Sequence, residues 1–188
     1  MNHQISKFMV CFILLTTSNF VLSEENEVRN YSLAGHGILR LSVPKSWQEQ
    51  VKQPPNNLPP TIIFTPGSDT SFQILLTPLF SVRENMNMPS PADIKKNVSH
   101  AAEAAKSQAV EKNIIIKELK GTSSTGYYFT ATDKAPNPGE YKYMTQGMLR
   151  SGDLLPTFTI LYNDGAENVV VVALTMLKNA VHVQNNEQ

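Results

Sequence analysis

Few side chains in this sequence are of the types that bind metals or act as nucleophiles. The only cysteine, Cys11, lies in an apolar N-terminal run that we expect to be removed. Beyond that run the histidines are His36, His100 and His182, and none has a second histidine or a carboxylate at metal-site spacing. His182 also lies near a terminus that we expect to fray. The sequence therefore predicts no metal, no cofactor and no thiol chemistry.

The local motifs of common catalytic sites are also missing. There is no Gly-x-Ser-x-Gly elbow and no phosphate-binding loop of the Walker type. Serines stand beside carboxylates at 66–69 and 150–153, but both segments have the composition of turns. We therefore predict that the chain is not an enzyme. A hydrolase whose carboxylates or serine meet only in the folded protein is the alternative.

Two thioethers, Met86 and Met88, lie in a polar, proline-bounded loop at 81–91. Methionine side chains adapt their shape to a protein partner. They also bind Cu(I), for which a third soft ligand such as His36 or His100 would have to lie nearby. The alternative is that the two methionines cover the start of the next helix. We take Met86 and Met88 as candidate partner-binding residues.

A second candidate is the polar loop at 132–140, which contains two prolines and joins two tyrosine-rich strands. A loop that is already partly rigid loses less entropy when it binds. A plain connector is the alternative. The candidate partner-binding residues in this loop are Asp133, Lys134 and Asn137.

Alternating apolar and polar residues predict the strands that position these loops. Together they form a large, mostly antiparallel sheet, because short turns with Gly and Pro separate them. The predicted strands are 37–43, 47–52, 61–65, 71–79, 114–119, 125–131, 140–150 and 155–163.

A central helix is predicted at 91–112, because Ser90 can cap it, Pro91 suits its first position and Asp93 lies near the positive end of its dipole. Its apolar residues, mostly alanines, repeat every 3.6 residues, so that one face should pack closely on the sheet. A C-terminal helix is predicted at 166–181, although its four consecutive valines have strand propensity. A strand followed by a short helix is the alternative there.

The N-terminus has the pattern of a cleaved secretory signal. Lys7 precedes an apolar run, polar residues interrupt the run before it reaches the length of a membrane span, and the chain turns acidic at Glu24. The predicted location is the periplasm or the outside of the cell, with no membrane span after cleavage. The predicted divisions are a signal at 1–23, an N-terminal extension at 24–36, a single domain at 37–183 and a disordered tail at 184–188.

The charges are balanced, with 16 Lys and Arg against 16 Asp and Glu. No basic stripe with interleaved aromatic residues is present, so nucleic-acid binding is not expected.

The segment 37–47, GILRLSVPKSW, resembles the opening strand of the Mog1/PsbP-like superfamily, in which an alternating strand runs into a Pro, two small or polar residues and a Trp. The resemblance implies an α+β fold, an α/β/α sandwich with one central and one C-terminal helix. Members include exported bacterial proteins of unknown function, a photosystem subunit and a nuclear-transport factor, which implies binding rather than catalysis. The fold itself supplies no reaction. Trp47 is expected to cover one end of the core.

The sequence as a whole predicts an exported, non-enzymatic protein-interaction module of the cell envelope with a protein partner. A secreted or periplasmic inhibitor or immunity protein is the alternative among binding proteins.

Overall fold

The computed structural model describes residues 25–67, 70–80 and 88–184. In this part of the chain, ten strands and two helices form an α+β architecture with antiparallel sheets. The elements in chain order are β1 (Asn26–Ser32), β2 (Ile38–Pro44), β3 (Trp47–Lys52), β4 (Thr61–Pro66), β5 (Phe72–Leu79), α1 (Pro91–Ala105), β6 (Lys117–Lys120), β7 (Ser124–Thr132), β8 (Tyr143–Ser151), β9 (Leu155–Tyr162), α2 (Asn168–Lys178) and β10 (Val181–Val183).

A seven-stranded sheet in the order β3-β4-β5-β9-β8-β7-β6 forms the centre of the molecule. The predicted hairpin is confirmed, since β4 and β5 pair antiparallel. β5 then pairs along its whole length with β9, which comes after α1 in the chain. All neighbours in this sheet are antiparallel, as the alternating sequence pattern predicts.

The two faces of this sheet carry separate apolar cores, because successive side chains of a strand point to opposite faces. On one face, α1 packs on β7 and β8. Val98 and Ala102 of α1 meet Phe129 and Ala131 of β7 there, and all four are buried. The small alanine allows the helix to approach the sheet closely.

The opposite face is covered by α2 and by a three-stranded sheet in the order β1-β2-β10. Trp47 lies in this core with 6 % of its surface exposed, which confirms the predicted burial. Its ring packs against Phe64 and Phe72 with centroid distances of 6.1 and 5.1 Å. Layers on both faces of the sheet give the sandwich that the sequence predicts.

α1 begins as predicted but ends earlier. The Ser90 hydroxyl accepts a hydrogen bond from the Asp93 amide, and the Asp93 carboxylate accepts one from the Ser90 amide, which forms a capping box. The helix ends at Ala105 rather than at 112, because Ala109 forms a β-bridge with Asp133 of a neighbouring loop. Residues that the sequence pattern assigns to the helix therefore take part in a β-bridge with a distant segment instead.

The C-terminal helix is confirmed over Asn168–Lys178, and the alternative order of a strand followed by a helix is wrong. Val181, the last residue of the predicted helix, instead begins β10 (Val181–Val183), which pairs with β2. Gly37 permits this approach, since a Cβ at that position would collide with the Val183 carbonyl oxygen. No helix within the described residues is long and apolar enough to cross a lipid bilayer.

β1 lies inside the predicted N-terminal extension and pairs with β2 along its whole length. The predicted signal at 1–23 and residues 185–188 of the predicted tail lie outside the described residues.

Candidate partner-binding site

The loop between β7 and β8, residues 133–142, is held at its base by hydrogen bonds of its own backbone. The Asp133 amide donates to the Lys142 carbonyl oxygen at 2.8 Å. The Asp133 carboxylate accepts from the Ala135 amide at 2.9 Å, which closes a turn at the start of the loop. Asp133 therefore helps to hold the loop in its conformation.

Lys134 ties this loop to the turn that follows α1. Its amide donates to the Gln108 carbonyl oxygen at 3.0 Å. Its ammonium group donates to the Ser107 carbonyl oxygen at 2.5 Å. A cation is favourable there because the carbonyl groups at the C-terminal end of a helix carry partial negative charge.

The tip of the loop is exposed and is also internally hydrogen-bonded. The Asn137 amide and its side-chain nitrogen donate to the Glu140 carboxylate at 3.0 and 2.9 Å. The Glu140 amide donates back to the Asn137 carbonyl oxygen at 3.0 Å. Pro136 and Pro138 further limit the backbone. Residues 134–140 are all exposed, so the structure presents a preordered protrusion.

Two adjoining depressions lie between α1 and the part of the sheet that α1 leaves open. We call them together the α1 groove. Their volumes are about 340 Å³ next to the loop and about 320 Å³ farther along the helix. Ala101 and Gln146 line both depressions. The loop-side part is also lined by Asp133, Tyr141, Lys142 and Leu161, and the other part by Thr77, Asn97, Thr157 and Thr159.

Charged groups lie at the loop end of the α1 groove. The Lys142 ammonium lies 3.0 Å from Asp164, and the Tyr143 hydroxyl donates to the same carboxylate at 2.6 Å. These contacts, first that of Tyr143 and then that of Lys142, lower the pKa of Asp164. The hydrogen bonds of Lys142 with Tyr143 and Asp164 raise the pKa of the Lys142 ammonium group. Both groups therefore stay charged at neutral pH.

Of the methionine pair, Met86 lies outside the described residues, and Met88 is half-buried just before α1. The loop at 133–142 lies near the other end of α1. A helix of 15 residues is about 22 Å long, because each residue adds about 1.5 Å. The structure therefore does not bring Met88 together with Asp133, Lys134 and Asn137.

The three histidines differ in their surroundings. His100 is exposed on α1, as its position on the helix suggests, and His36 stacks on Phe80 at a centroid distance of 3.9 Å. The prediction of a frayed His182 is wrong: its Nδ1 accepts from the Asp153 amide at 3.1 Å, and its Nε2 lies 2.7 Å from the His36 carbonyl oxygen. Within the described residues, no three His, Asp or Glu side chains are grouped so that they could hold a metal ion.

Carboxylates that act as general acids usually have a raised pKa. In the described part of the chain, the Asp and Glu residues with resolved shifts are Asp93, Glu111 and Asp164, and the pKa of each is lowered. Hydrogen bonds to the charged form are the main reason for the lowering. This pattern is typical of structural carboxylates.

Sequence reasoning missed Glu111, which anchors the base of the loop. Its carboxylate accepts from the Thr132 amide at 2.9 Å and from the Thr132 hydroxyl at 2.7 Å. Thr132 is 21 residues away in the chain, so no local sequence signal connects the two residues. Gln146, on the floor of the α1 groove, was also missed, although its position in an alternating strand gives the face on which it lies.

The fold is similar to that of a solved structure, cyanobacterial PsbP (CyanoP) from Synechocystis sp. PCC 6803. The superposition covers 90 % of this chain and 99 % of that chain, with a TM-score of 0.52 and 8 % sequence identity. No protein family matches by sequence, and neither does any curated protein. The Mog1/PsbP-like fold predicted from residues 37–47 is confirmed, and the likeness concerns the fold.

Proposed function

We propose that this protein is an exported, non-enzymatic protein-interaction module of the cell envelope, which contacts its partner through the loop at 133–142. The observation that carries the proposal is the combination of exposure and order in this loop. Residues 134–140 are exposed, yet hydrogen bonds tie them to the turn after α1, to Asp133 at the base of the loop and to one another. Binding through such a loop costs little additional ordering.

A protein surface is the partner that suits this shape. The loop protrudes, and its exposed part carries both signs of charge, on Lys134 and Glu140, which favours contacts at the rim of a protein interface. The α1 groove beside it offers Leu161 and the side chains of Ala101 and Gln146 to a residue that the partner inserts. The candidate contacts are Asp133, Lys134 and Asn137, with Met86 and Met88 as a second group.

Site-specific photocrosslinking in the expressing cells tests this proposal. A photoreactive amino acid replaces Ala135, which lies in the exposed part of the loop, and in a matched strain it replaces Val171, which is exposed on α2 at the opposite face of the sheet. We expect one discrete crosslinked product from Ala135 and none of that size from Val171. The partner, once identified by mass spectrometry, must give the same product in purified form.

A second variant tests whether the partner contacts the ordered tip of the loop or only lies close enough to Ala135 to crosslink. The double substitution Asn137→Ala, Glu140→Ala removes the two hydrogen bonds to the Glu140 carboxylate that help to order the tip, without touching either core. We expect at least a tenfold loss of the Ala135 product, and the substitutions Met86→Ser and Met88→Ser test the second group in the same way. Identical products from Ala135 and Val171 would contradict the proposal, and so would a complete absence of products.

Export is proposed from the N-terminal sequence pattern and has its own test. We expect the protein isolated from cells to begin near Glu24, as measured by intact mass and N-terminal sequencing. Protein that retains Met1 in the cytoplasm would contradict this part of the proposal.

A further inference from the structure

β1 is an edge strand whose outer side has no partner among the described residues. The small sheet has the order β1-β2-β10, so β1 pairs with β2 alone. Just beyond the strand ends, the Lys45 amide donates to the Glu25 carbonyl oxygen, and the Leu33 amide donates to the Gly37 carbonyl oxygen. Both contacts continue the register of β1 and β2. Hydrogen-bonded pairs alternate in an antiparallel ladder, so the odd-numbered residues of β1 bond to β2.

It follows that the even-numbered residues of β1 direct their amide and carbonyl groups away from β2. Val28 lies in the middle of this row with 64 % of its surface exposed. The other members, Asn26, Asn30 and Ser32, are also exposed. A row of unpaired backbone groups on a strand is a template for pairing with another strand.

The other edge strands in the described structure are shorter than β1. β6 has four residues with a lysine at each end, and β10 has three residues. β3 runs into Pro54 and Pro55. Lysine, proline and short length are the features that protect sheet edges. β1 has seven residues without Lys, Pro or Gly, and its two charged residues, Glu27 and Arg29, neutralise each other in an ion pair.

The charged residues of β1 favour one register of antiparallel pairing with a second copy. Glu27 and Arg29 lie on either side of Val28 and already form an ion pair at 2.7 Å within the chain. A two-fold axis at Val28 would place each Glu27 opposite the partner's Arg29, so that the two ion pairs join into a network of four alternating charges. An axis one residue earlier would oppose Glu27 to its own copy, and an axis one residue later would oppose Arg29 to its own copy. Like charges directly opposite each other destabilise a strand pair, and opposite charges stabilise it.

We propose that a second copy of this chain pairs antiparallel through β1, with Val28 on the two-fold axis. The two small sheets then join into one continuous sheet, and the interface is isologous. Val28 and the partner's Val28 form a hydrogen-bonded pair, because the outward backbone groups belong to even-numbered residues. Their side chains share one face, so an exposed apolar residue becomes covered by its own copy.

Sedimentation velocity over a range of concentrations tests the dimer, with protein expressed from the full coding sequence. We expect a dimer for the unchanged protein and loss of the dimer for Val28→Lys, which places two ammonium groups on the two-fold axis. Val51→Lys is the matched control, since Val51 is also exposed on an edge strand, β3. We expect this control to remain dimeric, and circular dichroism should show that both variants are folded.

Disulfide trapping gives an independent readout of the register. In a hydrogen-bonded antiparallel pair the Cα atoms are about 5.5 Å apart, within the range that a disulfide spans. With Cys11→Ser as background, we expect Val28→Cys to form a covalent dimer under mild oxidation and Val51→Cys to remain monomeric on a non-reducing gel. A protein that is monomeric at all concentrations overturns the proposal. A dimer that survives Val28→Lys, or one that crosslinks through Val51→Cys, overturns it as well.

Discussion

At the scale of single residues, Glu111 shows how one carboxylate can hold a loop in place. Burial alone would raise its pKa, but the hydrogen bonds from the amide and hydroxyl of Thr132 outweigh burial and leave the pKa below the ordinary glutamate value. A carboxyl group with a lowered folded pKa stabilises the fold in its charged form. This contribution is complete above the unfolded pKa and is lost as the pH falls through the folded pKa.

We therefore expect Glu111→Gln to lower the free energy of unfolding by about 1 kcal/mol at pH 7, because a neutral amide bonds less strongly than a carboxylate. The difference from the unchanged protein should shrink below about pH 4, where glutamate itself becomes protonated. Urea unfolding at pH 7 and pH 3 measures both values. Glu118→Gln, an exposed position in β6, is the control and should change stability little at either pH. An equal loss at both pH values for Glu111→Gln would mean that charge is not the cause.

At the scale of elements, the start of α1 could be predicted and its end could not. Ser90, Pro91 and Asp93 are neighbours in sequence, and capping is a local interaction. The end at Ala105 depends on the bridge between Ala109 and Asp133, which are far apart in the chain. The same reason explains why the residues of the loop at 133–142 could be chosen from sequence, whereas its anchors in the turn after α1 and at Glu111 could not.

The cap can be tested within one helix. We expect Ser90→Ala to reduce the free energy of unfolding by about 1 kcal/mol, because it leaves the Asp93 amide without its side-chain acceptor. Ser99→Ala is the matched control, since the Ser99 hydroxyl bonds only to the Lys95 carbonyl oxygen, one turn back in the same helix. Alanine is a better helix former, so this change should be neutral or slightly stabilising. Equal losses in the two variants would argue against the capping box as a source of stability.

At the scale of the whole molecule, sequence reasoning missed two of the three strands of the small sheet, β1 and β10. β1 has only Tyr31 buried among its seven residues, so its apolar pattern is too weak to predict a strand. β10 has three residues and follows directly after a helix. Both strands form because each edge of β2, a strongly alternating strand, is available for backbone pairing. The sequence could predict β2 itself, because its alternation is local.

Truncation should reveal how much β10 contributes. We expect a chain that ends after Ala180 to lose at least about 2 kcal/mol of stability, because it lacks the pairing with β2 and both hydrogen bonds of the His182 ring. A chain that ends after Gln184 keeps all of these contacts and serves as the control. Denaturant unfolding of the two truncated proteins measures the difference. Equal midpoints would show that β10 contributes nothing.

The contact between His36 and His182 also determines when the protein can acquire its final form. These residues are 146 positions apart, and the strands on either side of β2 lie at the two ends of the described chain. While the ribosome is still producing the last turns of α2, the edge of β2 that receives β10 has nothing to pair with. The fold therefore cannot be completed before β10 has been synthesised and has left the ribosome, and a nascent chain remains incompletely folded until then.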